Sequence, residues 1–212
     1  VQREVTEMGK ALEYPDKPLA ALMGGAKVSD KILLLDNLLE KLDHLFIGGG
    51  MCVTFLNALG YSTGASRIEE DRLEFAKEIM ARAEAGNVKL HLPENVVIAN
   101  EFAADPAETD VMHVGDVPDG WYIMDIAPNS AEDFAKALTT CKTIIWNGPM
   151  GVFEMPKFSH GTRTVANAIA GLTGVTSVVG GGSTAEAIEE LGLMDKICLL
   201  YTSPSPRDLS TS

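Results

Sequence analysis

Cysteine is scarce. The 212 residues hold three, Cys52, Cys141 and Cys198, too scattered for a disulfide framework or a Cys-x-x-Cys metal pair. A reducing, cytoplasmic setting is the expectation for such a chain. Positive charge is short as well: 17 Lys and Arg face 30 Asp and Glu, a formal net charge of −13. That balance argues against nucleic acid and anionic membrane surfaces as partners, because both need clustered cations. No apolar run approaches the ~20 residues that span a bilayer. The opening VQREVTEMGK lacks the apolar centre of a signal peptide, and it starts on Val1, which fits a segment of a longer protein. The histidines His44, His91, His113 and His160 show no metal-ligand spacing, so no metal-ligating residue is expected. There is no tandem repeat at a fixed period.

Apolar strands and amphipathic helices are plentiful, and 46% of the residues are hydrophobic. The patterns predict strands at Leu19–Met23, Leu45–Ile47, Val88–His91, Val96–Ala99, Tyr122–Ile126, Thr143–Trp146 and Ser177–Val179. They predict helices at Ser29–Leu42, Met51–Leu59, Glu69–Ala85, Thr162–Leu172 and Thr184–Leu191, and one to Leu138 from the start signature Ser130-x-x-Asp133. The order is largely βαβα, so the expected fold class is α/β, a parallel sheet covered by helices. Runs such as TIIW and SVV fit strands buried on both faces.

Glycine-rich turns follow four of these strands: Gly24-Gly25, Gly48-Gly49-Gly50, Asn147-Gly148-Pro149 and Gly180-Gly181-Gly182. In a parallel sheet they share the carboxyl edge, where open α/β sheets bind ligands and helix N-termini offer N–H groups to anions. In GGAKVSDK, Lys27 and Lys31 lie four apart and share a face if a helix starts by Val28. An anion between them, a phosphate in particular, would relieve their repulsion. The stretch is not a Walker A loop. GGGSTA, Gly180 to Ala185, fits a weak dinucleotide fingerprint, but no acidic residue ends the next strand, which disfavours a dehydrogenase. In WNGPMGVFE, Asn147 has the chemistry to donate to a phosphate and Glu154 to accept from sugar hydroxyls. Taken singly, Asn147 and Glu154 are more often structural, the glycines alone would serve tight turns, and the lysine pair alone would serve a solvated helix end.

GGAKVSDKI, IGGGMCVTFL, EFAAD, WNGPMGVFE and VVGGGSTAEAIEELGLMDK resemble, in order and spacing, the C-terminal half of the phosphoglycerate kinase family, from about residue 1 to Ile197. The resemblance implies a Rossmann-like parallel sheet with helices on both faces, one domain of a two-domain family, with residues 1–197 as the nucleotide-binding domain. It implies reversible phosphoryl transfer between 1,3-bisphosphoglycerate and ADP, giving 3-phosphoglycerate and ATP, in a monomeric cytoplasmic enzyme. Mg²⁺ with ADP or ATP would bind here, and the phosphoglycerate in an N-terminal domain. By the same resemblance Lys27 and Lys31 are the catalytic lysines, and Lys31 also contacts the nucleotide beside Gly24 and Gly25. Asn147 lies near the phosphates, and Glu154 on the ribose hydroxyls. Gly48, Gly49 and Gly50 form an adenine-side wall, and Gly180, Gly181, Gly182, Ser183 and Thr184 meet phosphates and metal.

The sequence departs from the family pattern in several places. Ser183 stands where the family usually has Asp next to the metal, so weaker Mg²⁺ binding is expected. Ile123 and Ala127 stand where many members carry glycine, which predicts a narrower adenine pocket. The N-terminal domain and the family's last glycine-rich segment do not occur in the sequence, so an inactive nucleotide-binding module is the alternative for the chain as given. After Ile197, CLLYTSPSPRD resembles the translation of a sequencing-library adaptor, and residues 198–212 are expected to form a disordered, non-native tail outside the core.

Overall fold

The structure is a computed structural model that describes residues 13–201, the last four by their backbone alone. Strands β1 (Leu19–Met23), β2 (His44–Ile47), β3 (Lys89–His91), β7 (Thr143–Asn147), β8 (Thr176–Gly180) and β9 (Cys198–Tyr201) form a six-stranded sheet in the order β3-β2-β1-β7-β8-β9. Every pairing in it is parallel. The helices are α1 (Ile32–Leu38), α2 (Gly49–Ala58), α3 (Leu73–Ala85), α4 (Pro128–Leu138), α5 (His160–Ala170) and α6 (Gly182–Glu190).

Strand alternation divides the core into two layers. Leu19, Ala21 and Met23 of β1 pack with Leu45, Ile47 and Ile145 against α1, α2 and α3. Ala20 and Leu22 point the other way and pack with Phe46, Ile144 and Trp146 against Phe134 of α4, Val165 and Ile169 of α5 and Ile188 of α6. All five residues of β1 and of β7 are buried, as the continuous apolar runs predict. The α/β expectation, with helices on both faces, therefore holds.

Four expectations need correction. Val96–Ala99 and Tyr122–Ile126 are not members of the parallel sheet. With an unexpected strand β5 (Thr109–His113), β4 (Asn95–Ala99) and β6 (Tyr122–Ile126) make a separate antiparallel sheet in the order β5-β4-β6. The expected helix Ser29–Leu42 is split into a 3₁₀ turn at Val28–Asp30, α1, and a second 3₁₀ turn at Leu39–Lys41. Lys27 and Lys31 therefore do not ride one α-helical face. Helix α4 starts at Pro128, whose fixed φ suits the first turn, and Ser130 Oγ accepts from Asn95 N–H at 3.0 Å instead of capping. Lastly, Cys198–Tyr201 belongs to the sheet, where its backbone pairs with β8 and satisfies an edge that would otherwise present unpaired groups. The rest of the expected tail, residues 202–212, lies outside the described residues.

Candidate functional site

Strand order fixes where a ligand fits. It reverses between β1 and β7, so their carboxyl ends open a crevice at the switch point. The turns after β1, β2, β7 and β8 meet there, as expected from the glycine spacing. A cavity of about 570 Å³ lies outside them, lined by Gly25, Gly49, Gly50, Glu154 and Ser183 among the expected residues, and by Ile123 on the β6 wall.

The glycines do two different jobs. Three of the turns are stitched together by backbone: Gly25 N–H donates to the Pro149 carbonyl at 3.0 Å, Gly49 N–H to Met150 at 2.9 Å and Met51 N–H to Gly25 at 3.0 Å. A Cβ on Gly24 would lie 2.1 Å from the Pro149 carbonyl oxygen, and one on Gly48 2.6 Å from Met150 Sδ. These residues are glycine so that loops can touch. They also use N–H groups at the start of α2 that an anion would need. The turn after β8 is the open one. Gly182 has nothing within 4 Å of its Cβ position. Helix α6 has no side-chain cap, and its first backbone bond runs from Ala185 N–H to Gly181 at 3.1 Å. The N–H groups of Gly182, Ser183 and Thr184 therefore have no protein acceptor among the described residues, and a helix N-terminus in that state attracts anions.

Lys31 supplies a cation at the same edge. Its ammonium donates to Asn147 Oδ1. Asn147 is buried at the end of β7, and a Cβ on Gly181 would lie 3.1 Å from that oxygen. Lys31, Asn147 and the start of α6 therefore converge. Thr184 is buried and braces the turns, accepting from Gly148 N–H at 2.6 Å through Oγ1. Gly180 is buried in β8. Lys27 is exposed and does not line the cavity. Glu154 and Ser183 are exposed on its rim, and Ile123 is half-buried.

Sequence reasoning missed Asp125, a carboxyl on the cavity wall at 2% exposure. Its Oδ2 accepts from Gly161 N–H at the start of α5 and its Oδ1 from Ile126 N–H, both at 2.9 Å. Burial raises its pKa to about 7, against the pull of those two N–H bonds. Gly151 and Gly161 are glycine around it: a Cβ on either would come within 2.2 and 2.5 Å of Oδ1. The signal was an acidic residue inside the apolar strand YIMDI. Cys52, also missed, is inert wall, its thiol pushed up to about 12 by burial and by Asp125. Arg67 and Phe102 carried no periodic signal, yet both line the cavity.

The molecule is thus an open α/β domain with a cavity at the carboxyl edge of its sheet, next to a helix start whose first N–H groups have no acceptor among the described residues. A family model described as "Phosphoglycerate kinase" matches residues 1–204, and the chain belongs to the phosphoglycerate kinase family. It is 50% identical over 197 residues to the phosphoglycerate kinase of Moorella thermoacetica, covering 93% of this chain and 50% of the relative. It is 47% identical over 204 residues to the cytosolic phosphoglycerate kinase of Nicotiana tabacum, covering 95% of this chain and 51% of the relative. The phosphoglycerate kinase structure from Coxiella burnetii superposes with a TM-score of 0.87 at 43% identity, covering 95% of this chain and 51% of that one. The structure from Pyrococcus horikoshii OT3 gives 0.74 at 27% identity, covering 95% and 50%. The chain therefore spans about half the length of the relatives it matches. Among the described residues, no helix is long and apolar enough to cross a membrane.

Proposed function

We propose that this chain is the nucleotide-binding half of a cytoplasmic, monomeric phosphoglycerate kinase. In the reaction, the terminal phosphate oxygen of ADP bonds to the phosphorus of 1,3-bisphosphoglycerate's acyl phosphate. The bond from that phosphorus to the carboxyl oxygen breaks, leaving 3-phosphoglycerate and ATP. One observation carries the reading: the Lys31 ammonium is held by Asn147 beside the uncapped start of α6, whose Ser183 lines a cavity of about 570 Å³. Phosphoryl transfer asks the protein mainly for positioning and charge stabilisation, which fixed N–H groups and an ammonium provide.

The residues present fit a nucleotide better than they fit a free metal ion. Among the described residues no cluster of three or more His, Cys, Asp or Glu could hold a metal. Mg²⁺, when bound, would be held mainly by the nucleotide's phosphate oxygens and water, with the exposed Ser183 hydroxyl on the cavity rim able to contribute an oxygen. When bound, it would neutralise phosphate charge. Lys31 and the α6 N–H groups would orient the phosphates, Glu154 would accept from ribose hydroxyls, and Lys27 would meet the phosphate in flight.

The half-length match favours a second statement about the chain as given, namely binding without turnover. In-line transfer needs both substrates at near-attack distance, and the family resemblance assigns the phosphoglycerate site to the other half. Calorimetric titration with Mg-ADP and a coupled turnover assay test this together. Binding with no turnover is expected. Failure to bind either ADP or ATP would overturn the nucleotide reading, and turnover would overturn the binding-module statement.

A further inference from the structure

The loop after β7 makes much of the cavity wall: Pro149, Met150, Gly151, Val152 and Glu154 all line it. No helix or strand residue falls between Asn147 and Pro156, so the loop takes its shape from whatever holds its backbone. Neighbouring backbone supplies part of the hold. Pro149 and Met150 accept from Gly25 and Gly49 N–H, and Val152 N–H donates to the Met124 carbonyl of β6 at 2.9 Å. Side chains supply the rest. Trp146 Nε1 donates to the Gly148 carbonyl at 2.7 Å, Thr184 Oγ1 accepts from Gly148 N–H at 2.6 Å, and Thr162 Oγ1 accepts from Met150 N–H at 3.0 Å.

Thr162 reaches the loop from outside the cavity. It lies in the first turn of α5 at 0% exposure, so a ligand in the cavity does not touch it. The helix start that carries it is clamped to β6. Asp125 Oδ2 accepts from the N–H of the preceding residue, Gly161, at 2.9 Å. A Cβ on Gly161 would lie 2.5 Å from both Asp125 Oδ1 and Ile126 Cγ1, so glycine lets α5 close on the strand. A Cβ on Gly151 would lie 2.2 Å from the same Oδ1. One carboxyl therefore abuts both the helix start and the loop, and the Thr162 hydroxyl links the two.

Among the described residues Met150 N–H has no acceptor but Thr162. Without that oxygen the N–H would be buried and unpaired, a state that costs its full desolvation. The loop relieves that cost by lifting towards water, and lifting carries Glu154 and the wall with it. We propose that Thr162 is a positioning residue for the ligand, holding the loop from Gly148 to Val152 in its binding shape through the Met150 N–H. The inference rests on the nucleotide reading above and adds to it a residue that the ligand never meets.

The test is calorimetric titration of the 212-residue chain and its variants with ADP, at a temperature where circular dichroism shows each one folded. Thr162→Val keeps the side-chain shape and replaces the acceptor by a methyl group. It should weaken ADP binding on the order of tenfold, as displacement of a wall by a fraction of an ångström does. Thr162→Ser restores the acceptor and should bring affinity back to within about twofold of the parent. Thr162→Ala, a better helix former, lacks the acceptor too and carries the same expectation as valine if the valine variant does not fold. Ile169→Val is the control. It removes a buried methylene from α5, roughly 10 Å along the helix from Thr162, and so destabilises the fold without touching the loop. ADP affinity should then stay within about twofold of the parent. Parent-like binding by the valine or alanine variant, no recovery with serine, or an equal loss in Ile169→Val would each overturn the inference and leave the nucleotide reading standing. If the parent chain itself does not bind ADP or ATP, the nucleotide reading falls and takes this one with it.

Discussion

Lys31 and Asn147 stand 116 positions apart and meet through one hydrogen bond, donated by the ammonium to the side-chain oxygen. The bond ties the segment after β1 to the carboxyl end of β7, across the switch point of the sheet. A lysine chain free in solvent loses up to about 2 kcal/mol of rotamer entropy when it is fixed. Asn147, 1% exposed and rigid, imposes that fixation during folding, before any ligand arrives. Under the proposed nucleotide reading, an anion at the start of α6 would meet an ammonium already in place.

Lys31→Ala should therefore weaken ADP binding by roughly 1.5–3 kcal/mol, the range for a hydrogen bond to a charged group. Asn147→Ala should weaken it less and also destabilise the fold, because it opens a buried site beneath the turns. Lys27→Ala should cost less than Lys31→Ala for binding alone, since Lys27 is exposed whereas Lys31 is half-buried and held by Asn147. Calorimetric titration of the three variants decides: if Lys31→Ala binds ADP as well as the parent does, the lysine serves only to tie its segment to Asn147.

The glycines can be separated into structural and functional ones by adding one methyl group. Gly24→Ala would drive a Cβ to 2.1 Å from the Pro149 carbonyl oxygen, a backbone atom that cannot swing aside. A loss of about 3 kcal/mol or more of stability is expected. Gly182→Ala meets nothing within 4 Å and lies at the first position of α6, so stability should change by no more than about 0.5 kcal/mol, while the added methyl crowds phosphate and lowers ADP affinity. Denaturant melts and titrations decide: if both variants lost stability and affinity alike, the two turns would play equivalent roles and the division would fail.

Much of this site was legible because its residues sit at strand ends. Strand β1 is an unbroken apolar run, and a turn of glycines after it has little freedom to lie elsewhere than the sheet edge. The antiparallel sheet was not legible. Strand β5 reads TDVMH, with four of its five residues exposed, and it exists through backbone pairing with β4, which leaves no hydrophobic pattern. Val97 and Ile123 look the same in a parallel or an antiparallel strand. Asp125 was hidden for a related reason. Its role depends on Gly151 and Gly161 coming up against it from other elements, a long-range closeness that local spacing does not encode.

Ser183 tests the metal contribution. It lies on the cavity rim at the second residue of α6, where a hydroxyl is a poor ligand for a hard cation compared with a carboxylate. Ser183→Asp should tighten Mg-ADP binding. It should leave metal-free ADP unchanged or weaker, because the new charge repels bare phosphate. Titrations with Mg²⁺ and with chelator separate the two, and equal Mg-ADP affinity in both chains would refute the idea.

Asp125 and His91 give the fold opposing responses to pH. Burial raises Asp125 to about 7, above its ordinary value of about 4. Between those values the folded chain keeps a proton that the unfolded chain has released, so this group's stabilisation is complete at low pH and is lost as pH rises towards 7. His91 behaves in reverse. Burial first, then His44 and Lys89, lower it to about 4, while it stacks on Phe46 at 4.2 Å and lies 3.0 Å from His44 Nδ1. Its contribution is present above the ordinary histidine value and is lost as pH falls towards 4, and His44, also lowered by burial, has the same sign. From about pH 4 to 6.5 the two effects oppose each other, and the parent should show a shallow profile. Asp125→Asn removes the falling component. Its stability should rise more steeply with pH over that window, whatever the variant loses in absolute level. His91→Gln removes the larger rising component, leaving that of His44, and should tilt the profile towards falling stability. Urea midpoints at half-unit pH steps read the slopes. A parent and an Asp125→Asn profile that run parallel from pH 4 to 7 would mean that the buried carboxyl titrates as it does in water, and would remove the premise.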